Sequence, residues 1–564
     1  MAQAQDSGKS GGGSRKKGLL ILGGVVLVVI IAAVAAGLYV LGRFAAPKEA
    51  TARFLPDDTQ AYFTISLRPG AGQLLRARRL WATFEDTPGF IDRRDELLDD
   101  LRDATGIHFT DDVLPWLGRD ITVALLDLDL RTEPEWVVLL QTKDRDASLE
   151  FLEELVDFLE EEMGEEFQDD SYLGASLFEE ENDEASFAVT DRYVVMGGSR
   201  DTVEQLIEDM ESPPERSLAR DDAFVRVRKQ LPSDRFMLFF ARSGDLYDGL
   251  TGFLGGGAFT GQSRNIPEAV ALSSSFVDQG VRMDFYSDNP TGLGVVETRN
   301  RLATARALPQ DTLFFLSFSG LQEAWGQVQE TLEDMDEDTA QLLADSLDAF
   351  REATGTDLER DVIDQLDGEL AVAVLPSDFR FEDSSPGTVN ALLLAEVKET
   401  RPLQRTLDRL MGVLEDGLGV RTRTEILGSH EAVTLDLQGR RVPEEFRGYS
   451  PGYLFTEDLA ALGSTLDALE QMADTLDGKN SDLASSPEFS RLLEMAPKDA
   501  VSVLFVNLAG VIEAVVDALP PAMRSTYARD WRPLVEPFHS FFAAGAASKE
   551  AFRATWVITV RRVD

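Results

Sequence analysis

Apolar and polar positions along this chain follow two periods, and the order in which those periods succeed one another occurs twice. Ala147 to Met163 carries Leu149, Leu152, Leu155, Leu159 and Met163 on one stripe with carboxylates opposite, the spacing of an amphipathic helix. Leu403 to Leu418 is its counterpart further along. Ile121 to Leu128 and Trp136 to Gln141 are short runs rich in Val, Ile and Leu, which predicts buried strands. Further strands are expected at Tyr172 to Phe178, Phe187 to Val189, Tyr193 to Met196, Phe236 to Ala241, Ala269 to Phe276 and Val281 to Tyr286, with a short helix from Asp201 to Glu208. Leu74 to Arg102 and Glu323 to Arg351 read as helical stretches. Each is ended by a Thr-Gly pair, Thr105-Gly106 or Thr354-Gly355, because glycine readily takes the left-handed cap conformation.

The duplication is visible residue by residue at a shift of roughly 250 positions. ATGIHFTDDVLPWLGRDITVALL, from Ala104, aligns with ATGTDLERDVIDQLDGELAVAVL, from Ala353, sharing Thr105/Thr354, Gly106/Gly355, Asp112/Asp361, Leu117/Leu366 and Ala124/Ala373. LPDDTQAYFTISL at Leu55 matches LPQDTLFFLSFSG at Leu308, and WVVLLQTK at Trp136 matches ALLLAEVK at Ala391. GGSRDTVEQL at Gly197 and LPSDRFMLFF at Leu231 find GSTLDALEQM at Gly463 and APKDAVSVLF at Ala496 in the same order. Strands arranged as hairpins and interrupted by a few helices predict an α+β fold, built twice, each copy a mostly antiparallel sheet with helices packed on one face. The expected organisation is a flexible tail over 1–17, a membrane helix over 18–42, a linker over 43–54, a first repeat over 55–289, a connection over 290–307 and a second repeat over 308–564. Gly252 to Ser263, with Gly255, Gly256 and Gly257, is expected to be a loop inside the first copy.

Gly18 to Gly42 contains no charge and is long enough at helical rise to cross a hydrocarbon layer of about 30 Å. Arg15, Lys16 and Lys17 precede it, so the excess of basic residues lies on the N-terminal side, which predicts a cytoplasmic N-terminus and an extracytoplasmic bulk. Ala45, Ala46 and Ala50 offer a competing signal-peptide cleavage region. The anchor is preferred because signal-peptide cores usually run only about 7–15 residues.

Charge narrows the partners. With 100 acidic and 54 basic residues among 564, the formal charge is −46, which opposes binding by phosphate neutralisation and disfavours nucleic acid and anionic lipid. No cysteine is present, so disulfides, thiolate nucleophiles and sulfur-based metal sites are excluded. His108, His430 and His539 are the only histidines, and no two share a helix face. Their counterparts in the other copy are Asp357, Ser176 and Glu268. The acidic run from Glu160 to Asp170, continued from Glu179 to Glu184, reads as a solvated helix end and hairpin, since it lacks the spacing of a calcium loop. Asp112 and Asp361 fit capping or turn roles. Trp116, Trp136, Trp325 and Trp556 lie in apolar stretches and read as core anchors. No GxSxG elbow, dinucleotide fingerprint or complete phosphate loop occurs; the GKS triplet near the N-terminus lacks the upstream glycine.

Gly106, Asp112, Leu114-Pro115-Trp116-Leu117-Gly118 and Ile121 to Leu126, together with LPDDTQAYFTI at Leu55, resemble the bacterial envelope family catalogued as domain of unknown function 3352. The resemblance covers nearly everything after the anchor. The second copy departs from it, with Asp364 and Gln365 in place of Pro115 and Trp116. It implies a single-pass envelope protein and no particular activity. The expected function is therefore a non-enzymatic interaction or scaffold module that contacts the bilayer through its N-terminal helix and an envelope protein through its folded part. No catalytic, cofactor or metal residue is assigned. An envelope hydrolase with a site between the repeats is the alternative, and a cation-dependent adhesion or folding factor a third.

Overall fold

The computed structural model describes residues 49–67, 70–105, 107, 109–127, 135–164, 166–182, 185–242, 268–288, 298–323, 325–326, 337–378, 389–437, 442–443, 446, 449–548 and 550–561. The predicted membrane helix, the Gly252 to Ser263 loop and His108 lie outside the described residues. The chain divides into two compact units, Met1–Asn289 and Pro290–Asp564. Among the described residues, no helix is long and apolar enough to cross a membrane.

In the first unit the strands are β1 (Ala61–Ser66), β2 (Leu117–Asp127), β3 (Glu135–Thr142), β4 (Phe167–Tyr172), β5 (Ala175–Glu180), β6 (Ser186–Val189), β7 (Tyr193–Gly197), β8 (Met237–Arg242), β9 (Ala269–Val277) and β10 (Gly280–Asp288). They form an antiparallel sheet in the order β4-β5-β6-β7-β3-β2-β1-β8-β9-β10. Its helices are α1 (Ala71–Glu85), α2 (Phe90–Thr105), α3 (Arg145–Met163), α4 (Arg200–Glu211) and α5 (Asp222–Arg228).

The second unit contains β11 (Phe314–Ser319), β12 (Leu366–Leu375), β13 (Asn390–Val397), β14 (Arg421–Leu427), β15 (His430–Asp436), β16 (Gly452–Phe455), β17 (Leu459–Gly463), β18 (Ser502–Val506), β19 (Phe538–Ala547) and β20 (Ala551–Val560). They pair in the order β14-β15-β16-β17-β13-β12-β11-β18-β19-β20, again antiparallel throughout. Helices α6 (Glu337–Thr354), α7 (Thr400–Leu418), α8 (Leu466–Leu476), α9 (Pro487–Leu493) and α10 (Leu508–Ala518) belong to it. The class is α+β, mostly antiparallel.

Helices pack on both faces of each sheet, which corrects the one-face expectation; in the second unit Phe489 of α9 meets Phe315 on one face and Leu403 of α7 packs with Ala395 and Val397 on the other. Neighbouring residues of a strand point to opposite sides, so Tyr62 and Phe63 define the two faces. Tyr62 meets Phe224 of α5 edge to face at 5.7 Å. On the opposite side Val138, which pairs with the Phe63 partner Val123, packs with Phe151 and Leu152 of α3. The sequence period marks each strand as half-buried or buried without saying which helix covers which side.

Two boundaries also differ from expectation. Leu74 to Arg102 is not one helix: α1 stops at Glu85 and α2 begins at Phe90, because Pro88 lacks a donor and Gly89 adopts φ 82°. Tyr172 to Phe178 is not one strand either, since Leu173 and Gly174 form the turn of the β4–β5 hairpin at φ 45° and 83°. Of the two Thr-Gly helix ends expected, Gly355 takes the left-handed conformation after α6, and Gly106 lies outside the described residues. Asp144 caps α3 by accepting from the Ala147 amide, and Gly164, Gly355 and Gly419 take left-handed conformations after α3, α6 and α7.

Candidate functional site

The shared Leu-Pro-x-Asp-Thr signature forms a turn that opens onto a cleft. Thr59, fully buried, donates from Oγ1 to the Pro56 carbonyl at 2.7 Å, and Thr312 does the same to Pro309 at 2.6 Å. Each proline also forms an isolated bridge, Pro56 with Ser217 and Pro309 with Asp482. These residues are therefore bound up in holding the chain as it enters β1 and β11.

In the first unit this turn, the β2–β3 hairpin end and α4 enclose a cleft of about 1180 Å³. Asp57, Asp58, Asp127, Glu135, Asp201, Asp209 and Asp221 line it, against Arg216 and Arg242. Both arginines are engaged. Arg242 pairs with Asp221 at 3.0 Å and donates to the carbonyls of Asp57 and Thr59 at 2.5 and 3.3 Å, while Arg216 pairs with Asp57 at 2.8 Å. Gln60 donates to Asp127 at 3.2 Å. Burial, with the neighbouring Glu208, pushes the Asp209 carboxyl up from its ordinary range. The surplus of carboxylates favours cationic over anionic guests. They do not converge, for among the described residues no group of three or more metal-ligating side chains could hold an ion.

A second cleft, of about 1030 Å³, lies in the second unit beside the chain segment that precedes β11. Arg299, Arg301, Arg306 and Lys498 stand on its walls with Glu396, Asp458 and Glu494, over Leu302, Leu493, Ala500 and Val503. Its walls are mixed in sign and mostly exposed.

Among the described residues, those singled out in the sequence are scattered, and the histidines and shared aspartates have local partners. His430 Nε2 lies 3.5 Å from Asp477, whose carboxyl is held low first by the Ser429 hydroxyl. His539 Nε2 lies 2.7 Å from Glu488 Oε2, and Glu488 Oε1 accepts from Ser540 at 2.6 Å and Thr559 at 3.1 Å. This grouping has the residue types of a hydrolytic triad in the wrong order: the carboxylate, not the imidazole, receives the serine proton. Asp361 accepts from the Asp357 amide at 3.1 Å beside a short helical turn that Asp357 caps, and Arg360 holds its carboxyl below the ordinary range. The Asp112 carbonyl accepts from Trp116 Nε1 at 2.7 Å, so the buried tryptophan is a core anchor, as is buried Trp136. Trp325 and Trp556 are half-buried.

The Glu488 pair makes a pH prediction. Burial opposes ionisation, but the bonds from His539 and Ser540 outweigh it and hold the carboxyl low. A lowered folded pKa stabilises above the unfolded value, about 4.3, and that contribution is lost as pH falls through the folded value. Unfolding free energies measured from about pH 5 down to pH 3 should decline less steeply in His539→Ala than in the parent chain; equal slopes would refute the assignment.

Sequence reading passed over a more deeply buried polar cluster. Glu369 of β12 is 2% exposed and accepts from the Ala303 amide at 2.6 Å, from Ser317 Oγ at 2.7 Å and from Thr304 Oγ1. The signal available was Ala-Thr-Ala-Arg, which stands at 50–53 and again at 303–306. In both units it forms a single tight helical turn, and in both the threonine is buried. Thr51 uses neutral partners instead, meeting the Tyr62 hydroxyl at 3.0 Å and Thr122 Oγ1 at 2.9 Å.

Comparison with known proteins decides the family. The family described as Protein of unknown function (DUF3352) matches residues 20–555. The chain belongs to that family. No curated protein matches it significantly. Among solved structures, crystal form III of TP0453 aligns at 10% identity, TM-score 0.25, over 43% of this chain and 80% of that one. Crystal form IV of TP0453 aligns at 11% identity and the same TM-score of 0.25, over 42% and 79%. A likeness at that score bears on neither fold nor function.

Proposed function

We propose that this DUF3352 chain is a single-pass envelope protein in which two copies of one α+β unit, over 55–289 and 308–564, are displayed outside the cytoplasm as a non-enzymatic interaction or scaffold module. The uncharged run from Gly18 to Gly42, preceded by Arg15, Lys16 and Lys17, supports the anchor and its orientation. The common strand order, down to the irregular register between Leu117 and Ile121 in β2 and between Leu366 and Leu370 in β12, supports duplication. The observation that carries the interaction reading is the fate of the shared polar signature. Thr59 and Thr312 close turns, Thr51 and Thr304 anchor the chain before the first strand, and Asp361 stabilises a helical end. What the two copies have in common thus builds the platform, while each unit's cleft lies at a different place in the fold and has its own charge and lining.

Topology is tested by C-terminal fusions in a bacterial host. Alkaline phosphatase fused after Asp564 is expected to be active and a fluorescent reporter that folds only in the cytosol to stay dark. The opposite pattern removes the anchored, extracytoplasmic reading. Proximity labelling from the outer face then identifies the partner, which the module reading requires to be recovered reproducibly.

A further inference from the structure

The cleft of the second unit stands where the first unit is filled. Position by position, Leu302, Leu493 and Ala500 of that cleft correspond to Glu49, Arg228 and Arg235. In the first unit those three form an ion group, Arg235 and Arg228 donating to Glu49 at 3.1 and 3.2 Å. In the second the shorter apolar side chains leave space open, within a cleft of about 1030 Å³. Its floor is apolar: Leu302, Ala500 and Val503 are 8%, 7% and 1% exposed, with Leu493 and Ala496 half-buried beside them.

The rim carries charge that the chain itself does not answer. Arg299, Arg301, Arg306 and Lys498 line the cleft with exposed side chains, and among the described residues none of the four has a side-chain hydrogen bond or ion pair. Both arginines of the first unit's cleft, by contrast, are paired. Of the three carboxylates on the same walls, Glu396 already accepts the Glu369 amide at 3.0 Å and Asp458 the Thr456 hydroxyl at 3.1 Å. Unpaired cations stand out in a chain with 100 acidic and 54 basic residues. Its overall charge does not cancel them, since at physiological salt the field of distant groups decays over about 8 Å.

We infer that this cleft binds a carboxylate carried on an apolar group, the guanidinium groups taking the carboxylate and the floor the apolar part. Planar guanidinium forks match a carboxylate, and a floor of Leu, Ala and Val offers contact without hydrogen bonds. Phosphate is disfavoured, because Glu396, Asp458 and Glu494 repel a dianion about twice as strongly as a single charge. A free organic acid and the C-terminus of a polypeptide ending in an apolar residue both present this chemistry. The site is independent of whether the chain is anchored.

The absence of cysteine lets one engineered thiol report occupancy. Ala496→Cys in the full-length chain, held in phosphatidylcholine nanodiscs, is alkylated with phenylbutyrate or N-acetyl-Leu-Leu titrated to about 20 mM, since ligands of this size bind at about the millimolar level. At about ten times its dissociation constant the carboxylate should slow labelling about tenfold, while the matching carboxamides and inorganic phosphate should not. Leu75→Cys, on an exposed part of the first unit, should label at an unchanged rate. Arg299→Gln with Arg301→Gln, both exposed, should weaken the affinity about tenfold or more. Leu302→Glu with Leu493→Arg and Ala500→Arg, which installs the ion group of the first unit, should abolish the protection. Thr298→Cys, also on the cleft wall, replaces Ala496→Cys if the latter does not fold. Protection by either carboxylate supports the inference, N-acetyl-Leu-Leu alone pointing to a polypeptide C-terminus and phenylbutyrate alone to a free acid. No protection by either, equal protection by a carboxamide or by phosphate, or an affinity unchanged in the arginine variant overturns it.

Discussion

Glu49→Leu is expected to destabilise the first unit by about 3–5 kcal/mol, the usual cost of leaving a buried ion without its partner. Glu49 receives Arg235 through Nε at 3.1 Å and through Nη2, and Arg228 through Nη1 at 3.2 Å. The Arg235 side chain is 7% exposed and, without Glu49, retains the Pro232 carbonyl at 2.6 Å. A stranded carboxylate can escape by taking up a proton, but a guanidinium cannot, so removing the acid is the more damaging choice. The second unit contains the repair. Leu302 precedes its Ala-Thr-Ala-Arg turn as Glu49 precedes the first, Leu493 ends α9 as Arg228 ends α5, and Ala500 stands two residues before β18 as Arg235 stands before β8. The triple variant Glu49→Leu, Arg228→Leu, Arg235→Ala should therefore return to within about 1 kcal/mol of the parent, since replacing a whole buried ion group by apolar residues is close to neutral. Hydrogen exchange of β1 and β8 amides, read beside urea unfolding, measures both. A triple variant as unstable as the single one would show that the group does more than neutralise itself.

That exchange also explains what was and was not legible. Leu149, Leu152, Leu155 and Leu159 announce α3 because a surface helix must bury one stripe, and α3 is the element on which sequence and coordinates agree best. Its counterpart α7 has as regular a stripe, yet Leu414 lies open. Periodicity reports that a face is apolar and says nothing of how closely another element approaches it. Pro88-Gly89 and Leu173-Gly174 were each overrun by a longer pattern, because flanking apolar residues kept the period while the backbone turned. The polar clusters were hidden for a different reason. Glu369 pairs with Thr304 and Ser317 across 65 and 52 positions, and Glu49 meets Arg235 across 186, so no window along the chain contains both partners. Only comparing the two copies position by position brings such pairs into view: where Glu49 becomes Leu, Arg228 and Arg235 become Leu and Ala.

Glu369→Leu should cost the second unit about 3–5 kcal/mol, because it strands several buried donors at about 1–3 kcal/mol each. The carboxylate holds the turn before β11 by accepting from the Ala303 and Thr304 amides at 2.6 and 3.4 Å and from the Thr304 hydroxyl. Ser317 Oγ, which receives Asn300 Nδ2 at 2.6 Å, completes the arrangement at 2.7 Å. Glu369→Gln is expected to be costly as well: one side-chain oxygen remains, and the new amide group presents hydrogens to donors. The first unit solves the same problem without a charge, since Tyr62 and Thr122 hold Thr51, and Thr122 Oγ1 donates to Thr64 Oγ1 at 3.1 Å. In the paired strands Phe315 stands where Tyr62 does and Ala371 where Thr122 does. Transplanting those hydroxyls, Phe315→Tyr with Ala371→Thr, into Glu369→Leu should recover at least about half of the loss, because the stranded Thr304 regains partners. Urea unfolding with exchange at the Ala303 and Thr304 amides decides the matter: a loss below about 1 kcal/mol for Glu369→Leu, or no gain from the transplanted hydroxyls, would mean that the turn is held by its apolar neighbours and not by the carboxylate.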